Sequence, residues 1–373
     1  MSYHSLFSHK KYIASKSIVI FCNQSSYDFT SKKYLFDLIA EDGKLHRILM
    51  PEHGLFSEHQ DQENIDDIYY KGIPCTSLYN KKTNITGPEA AMFKNADTLI
   101  IDIQDVGVRF FTFTTHMFIL LHFVSQHLPD ITVLVLDRQN PLGSKAEGTI
   151  LDERYTSFLG VSGMIHRHGM STGELCDWYL KRHDLAISIH KVSFTISSNL
   201  FISPSPNLPS YHSLQVYPGQ CFWEATTFSE GRGTTRPFEL IGHPNLTFDI
   251  SEKIGQQFNK KYRGLAFIRS TYFMPVYHKH CNKICCGWHL FIEDFENYQT
   301  IKGTMDIMKW VREIFPENDF WRAGKYEFDS EATAAQILMG DDRLIGYIEG
   351  EINESEVTEI MLKEQQKWKS QNV

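Results

Sequence analysis

The chain lacks several features that define common classes of proteins. Only seven of its 373 residues are cysteines. That number is odd and too small for a disulfide framework at this length, so reduced thiols are expected. Acidic residues outnumber basic ones, and the formal net charge is −8 at pH 7. This net charge argues against a surface that binds nucleic acid. No Gly-x-Gly-x-x-Gly motif follows the first apolar run, so a dinucleotide cofactor is not expected.

Long uninterrupted apolar runs are missing as well. The longest apolar stretch, residues 110–128, contains His116, His122, Ser125 and Gln126. A bilayer core penalises such groups, so we predict a buried helix and no membrane insertion. The N-terminal residues show no apolar core of the length that a signal peptide uses, so a cytoplasmic location is expected. A content of 42% hydrophobic and 22% charged residues is typical of a globular protein.

Apolar runs alternate with helical patterns in the first half of the chain. Residues 18–22, 45–50, 99–103 and 131–136 predict strands, and residues 32–41 and 112–126 predict helices. Such alternation indicates a parallel, doubly wound sheet. After about residue 150, short strands, Pro-rich turns and helices follow, including one at 172–182 that Ser171 and Glu174 would cap and one at 356–368 that Ser355 would cap. We predict an α/β fold with a Rossmann-like domain over residues 1–155, then an α+β domain over residues 156–373, and the active cleft between them.

The most distinctive segment is residues 217–239, YPGQCFWEATTFSEGRGTTRPFE. At its centre, Glu230 and Arg232 stand among two glycines and two hydroxyl groups, and glycine permits the backbone conformations by which a loop approaches a ligand closely. Beside Trp223 and Phe228, these groups are typical of a pocket for a sugar or an anion. The alternative is an ordinary turn with a surface ion pair.

Polar segments also follow three of the predicted strands. They are PEHG at 51–54, DIQDVGVR at 102–109 and DRQNP at 137–141, and a fourth segment, SPSPN at 203–207, precedes the loop described above. Open α/β sheets bind ligands beyond the carboxyl ends of their strands. We therefore expect the acidic and amide groups of these segments to form a site.

These segments, in this order, resemble the bacterial exo-β-N-acetylmuramidase family of the NamZ type. Further matching pieces are CNQSS at 22–26, SLYN at 77–80, EG at 147–148 and HGMSTGEL at 168–175. The resemblance extends from about residue 18 to about residue 350. It implies a glycosidase that removes N-acetylmuramic acid from the non-reducing end of peptidoglycan fragments and needs no cofactor. A non-catalytic muropeptide or carbohydrate-binding protein is the alternative. The chain departs from the family at Gln139, where Pro is expected, and at residues 225–227, where Gly-Thr-Asn is expected; these departures bear on substrate preference.

Glycoside hydrolysis needs an acid that protonates the leaving oxygen, and a 2-acetamido sugar can supply the second group through its own carbonyl oxygen. Glu52 is favoured as the acid, since it follows a strand directly. Tyr79 and Asp105 are candidates for orienting the acetamide group. Glu230 is a candidate second carboxylate. Asp102 and Asp105 have an alternative role, in which they pair with arginines and fasten loops.

The lactyl carboxylate of muramic acid requires a cation, and the planar fork of arginine suits a carboxylate better than lysine does. Arg232, Arg109 and Arg236 are the candidates, in that order, with an internal ion pair as the alternative for each. The other predicted substrate-binding residues are His53, Asp102, Gln104, Asn140, His168 and Asn207. A cluster of His and Cys residues at 278–289 suggests zinc, but its spacing fits no closed Cys/His pattern, so no metal is expected.

Overall fold

The computed structural model describes residues 17–61, 63–79, 87–194, 200–315, 320–326 and 331–371. Residues 1–16, on which the expected location depends, and Asn80 of the SLYN segment lie outside these ranges. The strands are β1 (Ile18–Cys22), β2 (Tyr27–Asp28), β3 (Lys33–Tyr34), β4 (Leu45–Met50), β5 (Ile68–Tyr70), β6 (Ile73–Ser77), β7 (Thr98–Asp102), β8 (Thr132–Arg138), β9 (Glu147–Ile150), β10 (Ile165–Arg167), β11 (Ile189–Phe194), β12 (Leu240–His243), β13 (Ala266–Phe273) and β14 (Cys285–Ile292). The helices are α1 (Leu35–Glu41), α2 (Thr112–His127), α3 (Thr172–Arg182), α4 (Tyr211–Gln220), α5 (Phe248–Lys261), α6 (Thr300–Arg312), α7 (Ala334–Met339), α8 (Asp342–Glu349) and α9 (Glu354–Gln371).

The chain forms two compact units whose segments interleave. The first unit comprises residues up to 107, 111–144 and 169–206, and the second comprises 108–110, 145–168 and 207 onward. The sequence prediction placed one boundary at residue 155. The chain instead returns to the first unit after residue 168, because β11 pairs in parallel with β8.

The first unit is built on a seven-stranded sheet in the order β11-β8-β7-β1-β4-β6-β5. Neighbouring strands are parallel except for the edge pair β5–β6. Every residue of β1 and of β7 is buried, as expected for a parallel sheet that is covered on both faces. The predicted parallel α/β sheet is confirmed. The carboxyl ends of β1, β4, β6, β7 and β8 lie along one edge of this sheet.

The predicted buried helix over residues 110–128 is α2. Ten of its 16 residues are buried, and they include the polar Thr112, Thr114, Thr115 and His116 as well as apolar side chains. In the part of the chain that the structure describes, no helix is long and apolar enough to cross a membrane.

The second unit contains a smaller sheet, with the antiparallel order β12-β14-β13. Helix α5 packs against it, and the Trp288 indole Nε1 donates to the Ser251 carbonyl at 2.9 Å. The EG segment has a structural role here. Glu147 is fully buried, and its Oε1 accepts from the Ile301 N–H at 2.7 Å, so this carboxylate caps the first turn of α6.

Two predicted helix caps have different outcomes. The reciprocal bonds between Ser171 and Glu174 are present at the start of α3, so that prediction is confirmed. The Ser355 cap is wrong, because α9 begins at Glu354 and the Asn353 Oδ1 accepts from the Glu356 N–H at 3.1 Å. All seven cysteines are free thiols, as expected.

Candidate active site

Glu52 lies directly beyond the carboxyl end of β4 and is 7% exposed. Its Oε2 accepts a hydrogen bond from the Thr112 hydroxyl, the first residue of α2, at 2.6 Å. A hydroxyl can donate to an ionised carboxylate and accept from a protonated one. The contact therefore holds the side chain in place in both protonation states that proton transfer requires.

His53 follows Glu52 with a positive φ of 76°. Its Nδ1 lies 3.0 Å from the His59 carbonyl, so this nitrogen carries the proton. Its Nε2 lies 3.2 Å from the Ser205 hydroxyl. These two contacts fix the orientation of the ring, which connects the PEHG segment to the SPSPN segment.

Further contacts hold the SPSPN segment against the loop that follows β1. The Asn23 Nδ2 donates to the Pro204 carbonyl at 2.9 Å, and the Gln24 Nε2 donates to the Ser203 carbonyl at 2.7 Å. The Ser57 hydroxyl also donates to Pro204, at 2.8 Å. Segments far apart in the sequence therefore meet at the carboxyl edge of the sheet, and this contact accounts for their polar composition.

Asp102 lies in the interior of the first unit, where it pairs with an arginine and fastens a loop. It is fully buried, and its Oδ1 accepts from the Arg138 Nε at 2.7 Å. The Ser26 hydroxyl donates to the other carboxylate oxygen, and the Arg138 guanidinium also donates to the Ser25 carbonyl at 3.1 Å. This buried ion pair joins β7, β8 and the loop after β1, as in the alternative role given for Asp102, and substrate binding by Asp102 stays a prediction.

Asp105 shapes the turn between β7 and α2. Its two carboxylate oxygens accept from the Gly107 N–H at 2.6 Å and from the Thr114 hydroxyl at 2.7 Å. Gln104 donates to the Asp105 carbonyl at 2.9 Å and to the Gln139 carbonyl at 3.2 Å. Because Gln139 contributes its carbonyl here, this contact does not depend on which side chain stands at that position.

Two further candidates of the first unit lie on the same edge of its sheet. The Asn140 Oδ1 accepts from the Leu142 N–H at 2.9 Å and closes a turn after β8. Tyr79 follows β6 and is fully buried, with its ring 6.3 Å from the ring of His116. Burial lowers the pKa of His116 to about 4, so that imidazole is neutral. Tyr79 therefore lies beneath the surface, and its role toward the acetamide stays a prediction.

In the second unit, Glu230 is the centre of a buried charge cluster. Its Oε1 lies 3.0 Å from the His278 Nδ1 and 3.3 Å from the Arg232 Nε, and its Oε2 lies 2.9 Å from the Lys279 Nζ. Burial by itself raises the pKa of Glu230, but Lys279, His278 and Arg232 outweigh it and hold the pKa well below its ordinary value of 4.5. Glu230 is therefore an anion at neutral pH and is unsuited to donating a proton.

Arg232 joins this cluster to a second carboxylate. Its guanidinium donates to the Glu224 Oε1 at 2.6 Å, and the Tyr326 hydroxyl donates to the Glu224 Oε2 at 2.6 Å. Gly231 and Gly233 on either side have φ values of 79° and 80°, which lie in the left-handed region that favours glycine. Arg232 therefore forms an internal ion pair, the alternative given for it above, and its charge is neutralised within the protein.

Arg109, the second candidate for the lactyl carboxylate, has a structural role. It is 1% exposed, and its guanidinium donates to the Leu338 carbonyl at 2.6 Å, near the carboxyl end of α7. Burial lowers the pKa of Arg109 to about 9. A cation at this end satisfies carbonyls that have no partner within the helix. The structure directs the guanidinium of Arg109 to protein groups, the Leu338 carbonyl and the His166 ring, and its role toward substrate stays a prediction.

His168 and Asn207 are also buried. The His168 carbonyl accepts from the Trp368 indole at 3.0 Å, and the Asn207 Oδ1 accepts from the Tyr277 hydroxyl at 3.1 Å. Both contacts fasten segments of the second unit. In the altered segment 225–227, Ala225 and Thr226 are buried and Thr227 is half-buried, and the Thr226 hydroxyl donates to the Trp223 carbonyl at 2.8 Å.

The first residues of the cluster at 278–289 contact Glu230 and Thr227, and the sequence did not predict these contacts. His278 and Lys279 pair with Glu230, and the His280 Nε2 bonds to the Thr227 carbonyl at 2.7 Å. The run of basic residues at 278–280 was the available clue, because a buried acidic residue elsewhere requires such partners.

Within the described ranges, one group of three potential metal ligands occurs: His212, Glu239 and His289, with ligand atoms within 4.8 Å of one another. Glu239 also accepts from Arg236 at 3.1 Å and from the Ser210 hydroxyl at 2.8 Å. Burial raises the pKa of Glu239, but its hydrogen bonds to His289, Ser210 and Arg236 together with the nearby His212 lower it to about 2. Since a guanidinium already supplies positive charge at this carboxylate, the group fits an ion-pair network better than a metal centre.

Comparison with known proteins agrees with the motifs. Two family models match, exo-β-N-acetylmuramidase NamZ, N-terminal, over residues 18–212, and exo-β-N-acetylmuramidase NamZ, C-terminal, over residues 215–372. The peptidoglycan β-N-acetylmuramidase NamZ of Bacillus subtilis (strain 168) is 33% identical over 334 residues, which cover 86% of this chain and 78% of that protein.

Two crystal structures of DUF1343 family proteins from Bacteroides fragilis NCTC 9343 have the same fold. One superposes with a TM-score of 0.81 at 20% identity, covering 100% of this chain and 97% of that chain. The other superposes with a TM-score of 0.73 at 26% identity, covering 98% and 95%. With both family models matched in order and a curated relative at this level of identity, the chain belongs to the exo-β-N-acetylmuramidase NamZ family.

Proposed function

We propose that this protein is an exo-β-N-acetylmuramidase that releases N-acetylmuramic acid from the non-reducing end of peptidoglycan fragments. Family membership over nearly the whole chain supports this function. The observation that carries it at the level of chemistry is the position of Glu52. This nearly buried carboxyl group stands at the carboxyl edge of a parallel sheet, where such folds bind ligands, and a hydroxyl holds it in place.

In the proposed reaction, Glu52 acts as the general acid. Its proton passes to the glycosidic oxygen as the bond from that oxygen to the anomeric carbon breaks. The carbonyl oxygen of the substrate's own acetamide attacks the anomeric carbon and forms a cyclic oxazolinium ion. Water then opens this ion, and Glu52 accepts the proton that the water loses. The sugar leaves as free N-acetylmuramic acid, and the enzyme returns to its starting protonation state.

The contacts of Glu230 support a route in which the substrate supplies the nucleophile. A nucleophilic carboxylate needs an available lone pair and access to the anomeric carbon. Glu230 is fully buried, and its oxygens face His278, Lys279 and Arg232. It is therefore a poor candidate for the second carboxylate of a two-carboxylate mechanism.

The deciding experiment compares 4-nitrophenyl β-N-acetylmuramide with the corresponding N-acetylglucosaminide. We expect steady release of nitrophenolate from the muramide and little from the glucosaminide, because a site built for a carboxylate leaves its cation unpaired when the lactyl group is absent. Equal turnover of both would contradict selection by the lactyl group. Binding of the muramide with no turnover of either substrate would favour the alternative of a carbohydrate-binding protein.

A further inference from the structure

A groove of about 680 Å³ lies on the second unit. It is bordered by the loop 233–236, by residues 269–273 of β13 and by the loop 274–277, and we call it the arginine groove. Its volume is within the range of about 300–1,000 Å³ that is typical of small-molecule sites. None of the contacts assigned above to Glu52 or Glu230 uses the open surface of this groove.

The floor of the arginine groove is one face of the sheet β12-β14-β13. Arg269 stands opposite His289 in the register between β13 and β14, and Thr271 stands opposite Gly287. Directly opposed residues of an antiparallel pair project to the same face, so Arg269, Thr271 and His289 face the groove together. The other face carries Trp288, which bonds to α5. The floor is therefore a rigid strand surface with a positive charge at its centre.

The two arginines of the groove differ from the buried ones. Arg236 has 56% of its side chain exposed and donates to Glu239 at 3.1 Å. Arg269 is exposed and has no ion pair or hydrogen bond among the residues that the structure describes. By contrast, Arg109 and Arg232 direct their guanidinium groups to protein acceptors. Arg269 thus offers a complete guanidinium fork to a ligand, and such a fork matches a carboxylate.

The wall of the groove is partly apolar. Tyr272 does not contribute its ring, because it projects to the other face of the sheet with Ser270 and stacks there on Phe248 of α5 with a centroid distance of 5.4 Å. Met274 and Val276, in the loop that borders the groove, are 50% and 64% exposed. Contiguous exposed apolar side chains of this kind mark binding surfaces. Thr235 on the opposite border adds a hydroxyl group that can bond to those of a pyranose.

The two loops that border the groove are joined to each other. The Val276 N–H donates to the Gly233 carbonyl at 2.9 Å. A Cβ on Gly233 would lie 2.5 Å from the Tyr277 carbonyl oxygen, so only glycine permits this approach. The groove is therefore formed before a ligand arrives, and binding does not have to order these loops.

We propose that the arginine groove binds the carboxylate-bearing part of a muramic acid saccharide, with Arg269 as the principal cation and Arg236 beside it. This inference rests on the proposed function and deepens it, because it names the chemistry by which the protein distinguishes such saccharides from neutral ones. The carboxylate has two possible sources, the free lactyl group or the acidic residue of an attached stem peptide.

The test is calorimetric titration of the full chain and of Arg269→Met with three probes. N-acetylmuramic acid carries a lactyl carboxylate, N-acetylmuramoyl-L-alanyl-D-isoglutamine carries its carboxylate on the peptide, and N-acetylglucosamine carries none. Loss of a charge-assisted pair should weaken binding of the recognised probe by about 10- to 100-fold. Binding of N-acetylglucosamine should stay unchanged.

Arg263→Met is the matched control, since Arg263 is also exposed in the second unit but does not border the groove. This variant should bind all three probes as the unmodified chain does. If Arg269→Met binds N-acetylmuramic acid more weakly, the carboxylate that the groove recognises is the lactyl group. If only binding of N-acetylmuramoyl-L-alanyl-D-isoglutamine is weaker, the groove recognises the carboxylate of the stem peptide. Unchanged binding of both acidic probes, or no binding of either by the unmodified chain, would overturn the inference.

The outcome is separable from that of the proposed function. Hydrolysis of the nitrophenyl muramide with no effect of Arg269→Met on binding would leave the muramidase function standing and remove the groove. If the unmodified protein hydrolyses neither nitrophenyl substrate, but Arg269→Met binds the acidic probes more weakly, the groove is supported and the muramidase function is not. Thermal unfolding of Arg269→Met should match that of the unmodified chain, because Arg269 makes no described contact that folding requires.

Discussion

Glu52 and Glu230 are both buried carboxylates in polar segments, yet their surroundings differ in kind. Glu52 accepts from the neutral hydroxyl of Thr112, whereas Glu230 contacts His278, Lys279 and Arg232. Cations stabilise the ionised form of a carboxyl group, and a hydroxyl can serve both forms. The comparison shows that the cations around Glu230 fit it to an internal ion-pair cluster, whereas the role of Glu52 as the acid is the proposal that the following experiment tests.

The largest effect is expected from Glu52→Gln. This substitution keeps the shape of the side chain and removes its ability to transfer a proton. If Glu52 is the general acid, turnover of a natural disaccharide should fall by about 10²–10⁴-fold. The decrease should be smaller for the nitrophenyl muramide, because nitrophenolate leaves with little need of protonation. Steady-state rates on the two substrates measure both effects.

Glu58→Gln provides the control for this substitution, since Glu58 is an exposed carboxylate in the same loop. Its rates on both substrates should equal those of the unmodified protein. Unaltered turnover of the natural disaccharide by Glu52→Gln would remove Glu52 from the mechanism.

The same change at the second carboxylate, Glu230→Gln, should act on stability. It leaves Lys279, Arg232 and His278 buried around a neutral amide, and breaking a buried ion pair in this way costs about 3–5 kcal/mol. Urea unfolding should show this loss for Glu230→Gln and almost none for Glu52→Gln. Equal stability of the two variants would show that the cluster around Glu230 is not an energetic element of the fold.

The dependence of stability on pH tests the same cluster. The pKa of Glu230 in the folded protein lies well below its ordinary value of 4.5. Its contribution is therefore fully present above pH 4.5 and is lost as the pH falls toward the folded pKa, because the unfolded chain takes up the proton first. The difference in unfolding free energy between the unmodified protein and Glu230→Gln should shrink over that interval. A difference that is constant down to pH 3 would contradict this assignment.

The smallest effect is expected from chelation. Glu239 already pairs with Arg236 beside His212 and His289, and hydrolysis assisted by the acetamide needs no Lewis acid. Incubation with EDTA should therefore leave both turnover and the unfolding midpoint unchanged. A loss of either that zinc restores would identify these three side chains as a metal site.

Much of the secondary structure of the first unit could be predicted from the sequence, because apolar runs and helix caps are recognised from residues that are close together in the chain. The apolar run at 18–22 is β1 as predicted, and the capping pair Ser171–Glu174 begins α3. The polar groups after the parallel strands do gather along one edge, since the topology itself brings the carboxyl ends of the strands together.

The partners of the charged residues could not be predicted in this way. Arg109 contacts the carbonyl of a residue 229 positions away, and Glu230 meets Lys279 only after the second unit has formed. Composition shows that an arginine is present, but its burial and its acceptors depend on tertiary packing. For that reason the sequence ranked Arg232 and Arg109 above Arg236, while the structure leaves Arg236 more exposed than either.

The late return of the chain to the first sheet has a consequence during protein synthesis. Strand β8 is flanked by β7 on one side and by β11 on the other, and β11 lies more than fifty residues further along the chain. At about 5–20 residues per second, a ribosome needs about 3–11 s to make the residues from the end of β8 to the end of β11. Until β11 has been made, a β8 strand that has already paired with β7 has an uncovered edge made of Val133–Leu136, to which a chaperone or a neighbouring nascent chain can pair.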